Sequence, residues 1–250
     1  MPARLIYVMA KAPRVGEVKT RLCPPLEPSQ AAELYLGFLR DSLELAGRVP
    51  NAEVRAFCPS PSMAAELAGL LPVGCRVASQ SAPGLGAGLE ECFRVGLGDG
   101  FRAVAVMASD NPTLPSALVE QAFERLEQDD VVLGPADDGG YYLVAARAVY
   151  SSLFREMVWS TTSVLDETLE RCRVAGLRSS LLEPWYDVDS AEDLGRLSRE
   201  LDSLPAERAR HTRAALRAAG VGSQELPGGG ARLCLLRATG ATSTSRDQPP

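Results

Sequence analysis

Only two lysines occur in this 250-residue chain, which fills the rest of its 26 basic positions with arginine. Lys11 and Lys19 share one loop, KAPRVGEVKTRL (11–22), together with Gly16 and Arg21. The loop follows the apolar run LIYVMA (5–10). A compact, mobile ammonium serves where a planar guanidinium does not. A strand feeding a basic, glycine-containing loop is a common cradle for phosphate oxygens. The plainer reading of the same residues is a solvated basic turn in an arginine-rich chain.

Carboxylates supply the other half of a phosphate chemistry. Asp110 stands in SDNPTLP (109–115), directly after the most apolar run of the chain. It reads as a turn or capping residue, or as a ligand for Mg²⁺, which takes carboxylate and substrate phosphate oxygens. In DVDSAEDL (187–194), Ser190 and Asp193 fit a capping box. That box leaves Asp187 and Asp189 free to meet the same metal as Asp110.

Two further stretches read as substrate-facing. GPADDGGYYL (134–143) sets Asp138 before Gly139, Gly140 and Tyr141, where the glycines serve a tight turn and Asp138 serves either the turn or an acceptor. PGLGAGL (83–89) opens a helix with Gly84 and Gly86, which let a nucleoside approach the backbone or merely loosen a turn. Trp159, in VWSTT (158–162), is a pocket wall or ordinary core.

The bulk composition excludes much. A formal charge of −6 argues against a nucleic-acid-coating protein. Six cysteines without a C-x-x-C pair suit reduced thiols rather than a disulfide framework or zinc site. The single histidine, His211, nearly excludes histidine triads and multi-histidine metal centres. No run reaches the roughly 20 apolar residues of a membrane span, and LIYVMA lacks the flanks of a signal peptide. The expectation is a soluble, cytoplasmic protein with no nucleic-acid or membrane partner; a homodimer is left open.

These residues need a scaffold, and the pattern supplies one. Strand-like runs at 5–10, 53–58, 75–79, 101–108, 130–136, 141–146 and 177–183 alternate with helical periodicity. The helices fall near 28–47, 63–71, 86–97, 115–127, 161–175, 190–202 and 205–219. Such alternation predicts one α/β domain over residues 1–220, with a mostly parallel sheet. The Asp-Asp-Gly-Gly turn inserts a small antiparallel hairpin. Residues 221–250 read as a loose tail with one short ordered piece at LCLL.

Taken together, these islands resemble the nucleotide-diphospho-sugar transferase superfamily, and within it the DUF2064 or CofC-like glycosyltransferase group. The resemblance rests on K-x-P-x-x-G-x-V-K-T-R-L (11–22), S-D-x-P-x-L (109–114), D-G-G-Y-Y-L (138–143), W-S-T (159–161) and D-V-D-S-x-E-D-L (187–194). It covers about residues 4–200. It implies a Rossmann-like three-layer α/β/α domain, the glycosyltransferase-A (GT-A) fold. It also implies that Lys11, Lys19 and Arg21 hold nucleotide phosphates and that Asp110 and Asp189, with Asp187, hold Mg²⁺ or Mn²⁺. PGLGAGL would lie by the nucleoside. The chain departs from the group's G-D-L-G-x-R pattern, with Gly84 and Gly88 at the acidic and basic positions.

The expected activity is nucleotidyl transfer from a nucleoside triphosphate to a small anionic acceptor, releasing pyrophosphate. Lys19, Arg21 and Asp110 would be its catalytic residues, and Asp138, Gly139, Gly140, Tyr141 and Trp159 would face the acceptor. Positioning and electrostatics drive such chemistry, so it needs no histidine base. The alternatives are glycosyl transfer from a nucleotide sugar and an inactive nucleotide-binding module.

Overall fold

In the computed structural model, residues 3–224 and 232–235 are described. The chain runs β1 (Arg4–Met9), α1 (Pro28–Ala46), β2 (Ala52–Cys58), α2 (Pro61–Ala68), β3 (Arg76–Ser79), α3 (Leu85–Gly98), β4 (Ala103–Met107), α4 (Ser116–Arg125), β5 (Val131–Pro135) and β6 (Tyr141–Ala146). It continues with α5 (Val164–Val174), β7 (Ser179–Leu181), α6 (Ala191–Ser203), α7 (Arg210–Ala218), β8 (Val221–Gln224) and β9 (Arg232–Leu235). Seven strands form one sheet in the order β3-β2-β1-β4-β6-β5-β7. Only β6 runs antiparallel to its neighbours, β4 and β5. This is the expected α/β sheet with one inserted hairpin.

Burial on both faces explains the near-continuous apolar strands. On β1, Ile6 and Val8 pack toward Leu39 and Leu43 of α1, while Leu5 and Tyr7 pack toward Leu89 and Phe93 of α3. The result is three layers. A third cluster, with Leu22, Phe38, Val188, Leu194 and Leu216, joins the lysine loop to α1, α6 and α7. That cluster ties together the loops that carry the candidate site.

Two helices begin later than their sequence periodicity suggests. Residues 159–163 stay outside α5, since Ser160 takes a φ of +63° and the Thr162 carbonyl crowds Gly139. α7 starts at Arg210 rather than near 205, because its N-terminal amides find their acceptor on α1. The Asp41 carboxylate receives His211 N (3.1 Å) and Thr212 N (2.7 Å). Of the predicted tail, β8 and β9 pair antiparallel; residues 225–231 and 236–250 lie outside the described residues.

Candidate active site

The site is built from four segments that leave the sheet. The first is the lysine loop after β1. Val18, buried beside Ala32 and Tyr35, and Leu22, fully buried in the third cluster, pin the loop on either side of Lys19. Between these anchors Lys19 adopts a left-handed backbone, φ 48° and ψ 37°. Such a conformation costs a non-glycine residue about 1–3 kcal/mol and persists where its surroundings over-determine it.

Here the side chain supplies that constraint. Its ammonium reaches Asp189 Oδ1 at 2.7 Å and Asp110 Oδ2 at 3.0 Å, with 6% of the side chain exposed. It also lies 5.9 Å from the centre of the Phe38 ring. Burial pulls the Lys19 pKa down, but the Asp110 and Asp189 carboxylates outweigh it and raise the net value. Lys19 therefore stays charged and compensates both acids.

The second and third segments follow β4 and precede α6. They are stitched by Val188 N donating to the Asp110 carbonyl at 3.1 Å. Asn111 Nδ2 donates to the Tyr186 carbonyl and to Asp187 Oδ1, both at 2.7 Å. Burial pushes the Asp187 carboxyl up to about 7; the Asn111 hydrogen bond opposes this, and Asp110, Asp138 and Asp189 add to it. Ser190 and Asp193 form the predicted capping box at the start of α6.

Asp110, Asp187 and Asp189 do not close into a triad. Among the described residues, the one such set whose ligand atoms lie within 4.8 Å of one another is Asp41, Glu44 and His211. That set is structural, because both Asp41 oxygens cap α7 and Glu44 pairs with Arg210. At the site itself, Asp110 Oδ1 is buried without a partner. Two all-oxygen carboxylates, one with an uncommitted buried oxygen, fit a hard cation that also takes water and substrate phosphate.

Two pockets meet at these acids. The larger, about 650 Å³, is lined by Lys11, Lys19, Arg21, Tyr35, Gln80, Gly84, Asp110 and Asp189 among others. Lys11 and Arg21 are exposed on its wall, and neither has an ion-pair partner among the described residues. The Lys11 amide is fixed by Tyr35 Oη at 2.8 Å. The smaller pocket, about 270 Å³, is lined by Asp110, Asp138, Gly140, Tyr141, Trp159, Asp187 and Asp189, over a floor of Leu89, Val106 and Val144.

The fourth segment, residues 151–163, walls the smaller pocket. Arg171 of α5 holds it by donating to the carbonyls of Ser152 (3.0 Å), Arg155 (2.5 Å) and Glu156 (3.1 Å). Glu90 of α3 holds it through Ser151 (2.8 Å) and Arg155 (2.6 and 2.9 Å). Trp159 then meets Tyr141 edge-on at 6.4 Å.

Most predicted site residues are thus brought together, and three are not. Gly16, Gly86 and Gly139 line neither pocket. A Cβ on Gly86 would stand 2.4 Å from the Phe154 carbonyl oxygen and 2.9 Å from Trp159 Nε1. Gly86 therefore admits the 151–163 segment rather than a nucleoside. Gly139, at φ +87°, similarly gives room to the Thr162 carbonyl. Sequence reasoning missed Tyr35, Gln80 and Arg171, and it missed that Asn111 holds Asp187. Tyr35 meets Lys11 across 24 residues and Asn111 meets Asp187 across 76, so no local pattern marks these pairs.

A Rossmann-like sheet carries a basic loop and convergent aspartates beyond its strand ends, the place where open α/β sheets bind their ligands. The match to uncharacterized proteins conserved in bacteria (DUF2064) spans residues 43–161. A crystal structure from Desulfovibrio desulfuricans G20, described as a candidate nucleotide-diphospho-sugar transferase, superposes with a TM-score of 0.81. It shares 31% identity over 87% of this chain and 95% of that one. The chain belongs to the nucleotide-diphospho-sugar transferase family that this structure represents. More distant structures share the fold. CMP:2-keto-3-deoxy-manno-octonic acid synthetase complexed with CTP has a TM-score of 0.52 at 14% identity, covering 80% of this chain and 99% of that one. The 4-diphosphocytidyl-2C-methyl-D-erythritol synthase of Anaerococcus prevotii DSM 20548 has 0.51 at 10%, covering 80% and 96%. No curated protein sequence matches the chain. Among the described residues, no helix is long and apolar enough to cross a membrane.

Proposed function

We propose that the protein is a divalent-cation-dependent transferase that seats the phosphates of a nucleotide donor in the larger pocket and an acceptor in the smaller one. The observation that carries this reading is the shared wall, where Asp110 and Asp189 line both pockets. Group transfer needs donor and acceptor to meet at one point, held in a productive geometry. Asp110 and Asp189 are the residues to hold Mg²⁺ or Mn²⁺, which would neutralise charge on the donor phosphates. Lys11 and Arg21 take the outer phosphate oxygens, and Lys19 answers charge that develops at the leaving oxygen.

With a nucleoside triphosphate, an acceptor oxygen bonds to the α-phosphorus, the bond to the bridging oxygen breaks, and pyrophosphate leaves with the electron pair. Lys11, Lys19 and Arg21 together in one loop favour this reading. With a nucleotide sugar, the acceptor oxygen bonds to the anomeric carbon and a nucleoside diphosphate leaves. The carboxylates of the smaller pocket favour that second reading, since a hydroxyl needs a base.

The test is product analysis. Purified protein is incubated with Mg²⁺, each nucleoside triphosphate or nucleotide sugar, and a panel of acceptors. Pyrophosphate release identifies nucleotidyl transfer, and nucleoside diphosphate release identifies glycosyl transfer. Activity should vanish with EDTA and return with Mg²⁺ or Mn²⁺. Nucleotide binding without any turnover would overturn the enzymatic reading and leave a binding module.

A further inference from the structure

The smaller pocket differs from its neighbour in charge. No lysine, arginine or histidine lines it, while four aspartates do. Lys19 compensates Asp110 and Asp189. Asp138 and Asp187 have no cationic partner among the described residues. Each binds one protein donor through Oδ1: Gly140 N at 2.9 Å for Asp138, and Asn111 Nδ2 for Asp187. Their second oxygens make no protein hydrogen bond among the described residues.

The amides of the Gly139–Gly140 turn do not make up the deficit. The Gly139 amide is spent on the Ala136 carbonyl, and Gly140 on Asp138. The nearby start of α5 carries Asp166 and Glu167 in its first turn and gives its Leu165 amide to the Gly139 carbonyl. An anion placed here would face carboxylates with no cationic side chain to offset them, an arrangement that suppresses binding. The floor and the Tyr141–Trp159 wall are apolar, so they suit a flat or hydrocarbon body.

Building on the two-pocket reading above, we propose that the acceptor is an alcohol without anionic groups, with an apolar face set against Tyr141 and Trp159. Its hydrogen-bond donors meet the free oxygens of Asp138 and Asp187. The acceptor hydroxyl oxygen forms the new bond to the electrophilic atom of the donor, and the leaving phosphate oxygen departs with its electron pair. The hydroxyl proton passes to the Asp138 carboxylate. This replaces the phosphorylated acceptor that the sequence suggests.

Trp159 offers a direct probe, because the chain has only two tryptophans. In a Trp185→Phe variant, Trp159 emission is titrated with three matched compounds: phenyl β-glucoside, its 2-amino-2-deoxy analogue and its 6-phosphate. The neutral and ammonium forms are expected to bind at least about tenfold more tightly than the phosphate, as opposed charge complementarity predicts. The same difference should appear in wild-type protein and vanish in Trp159→Phe, which also covers the case of a poorly folding Trp185→Phe chain. Equal or tighter binding of the 6-phosphate overturns the proposal, as does no response to any of the three. A fluorescent nucleotide displaced by Mg-ATP or UDP-glucose is followed in parallel. Loss of that binding sinks the two-pocket function, whereas retained binding with a preference for the phosphate sinks only the acceptor assignment.

Discussion

The two pockets share a wall and divide the chemistry by charge. On one side, Lys11 and Arg21 project unpaired into a wide cleft; on the other, Asp138 and Asp187 face a narrow apolar chamber that no basic side chain lines. At the boundary, one buried ammonium holds Asp110 and Asp189. A donor rich in negative charge and an acceptor free of it are thereby sorted before they meet. The sharpest way to break this comparison is to remove its boundary.

Lys19→Ala carries the largest expected effect. It leaves two carboxylates facing each other without their cation and removes the charge that answers the leaving group. Turnover should fall by about 10²–10³-fold, the scale seen when one preorganised transition-state donor is lost. Lys19→Arg should not restore it, because the pocket around a side chain that is 6% exposed is shaped for a compact ammonium. Initial rates with saturating donor, beside circular dichroism to verify the fold, measure both variants. Activity of either within a few-fold of wild type would remove Lys19 from the mechanism.

The next effect separates the pockets. Lys11→Ala and Arg21→Ala should each weaken donor binding by about two- to fivefold, the worth of one exposed charge contact of roughly 0.5–1 kcal/mol. Acceptor KM should stay near its wild-type value, since neither side chain lines the smaller pocket. Donor and acceptor titrations of the two variants measure the separation. Comparable changes in both KM values would mean that the pockets are not divided as described.

Parts of this arrangement were legible in the chain. The buried strands AVAVM and VVLGP announce themselves, because every residue in them is buried. The Ser190–Asp193 cap is also local, as is the turn at Gly139–Gly140. Lys11, Lys19 and Arg21 stood out by residue type and spacing, Asp110 by its place after an apolar run, and Asp189 by its alternation with Asp187 beside the capping box. What sequence could not show is how loops far apart in the chain converge. Lys19 and Asp189 are 170 residues apart, and nothing near Lys19 says that its ammonium turns inward to acids while Lys11 and Arg21 stay free. Gly86 misled for the same reason. A glycine at a helix start suggests an approaching ligand, but the group that approaches is the Phe154 carbonyl, 68 residues on in sequence.

That glycine gives the smallest and most selective prediction. In Gly86→Ala the new methyl would meet backbone, the Phe154 carbonyl at 2.4 Å, rather than a flexible tip. The 151–163 segment must therefore shift, although Arg171 and Glu90 continue to tether it. Overpacking of this kind costs about 1–3 kcal/mol. Trp159, whose Nε1 stands 2.9 Å from the same methyl position, should move with the segment. The expected result is a Tm lowered by a few degrees, on the order of 2–4 °C per kcal/mol for a chain of this size. With it comes a several-fold rise in acceptor KM while donor affinity stays unchanged. The donor side is spared because the loop carrying Lys19 is anchored by Val18 and Leu22 to other elements. If donor affinity fell as far as acceptor affinity, the 151–163 segment, whose Ser160 lines both pockets, would be serving the nucleotide as much as the acceptor.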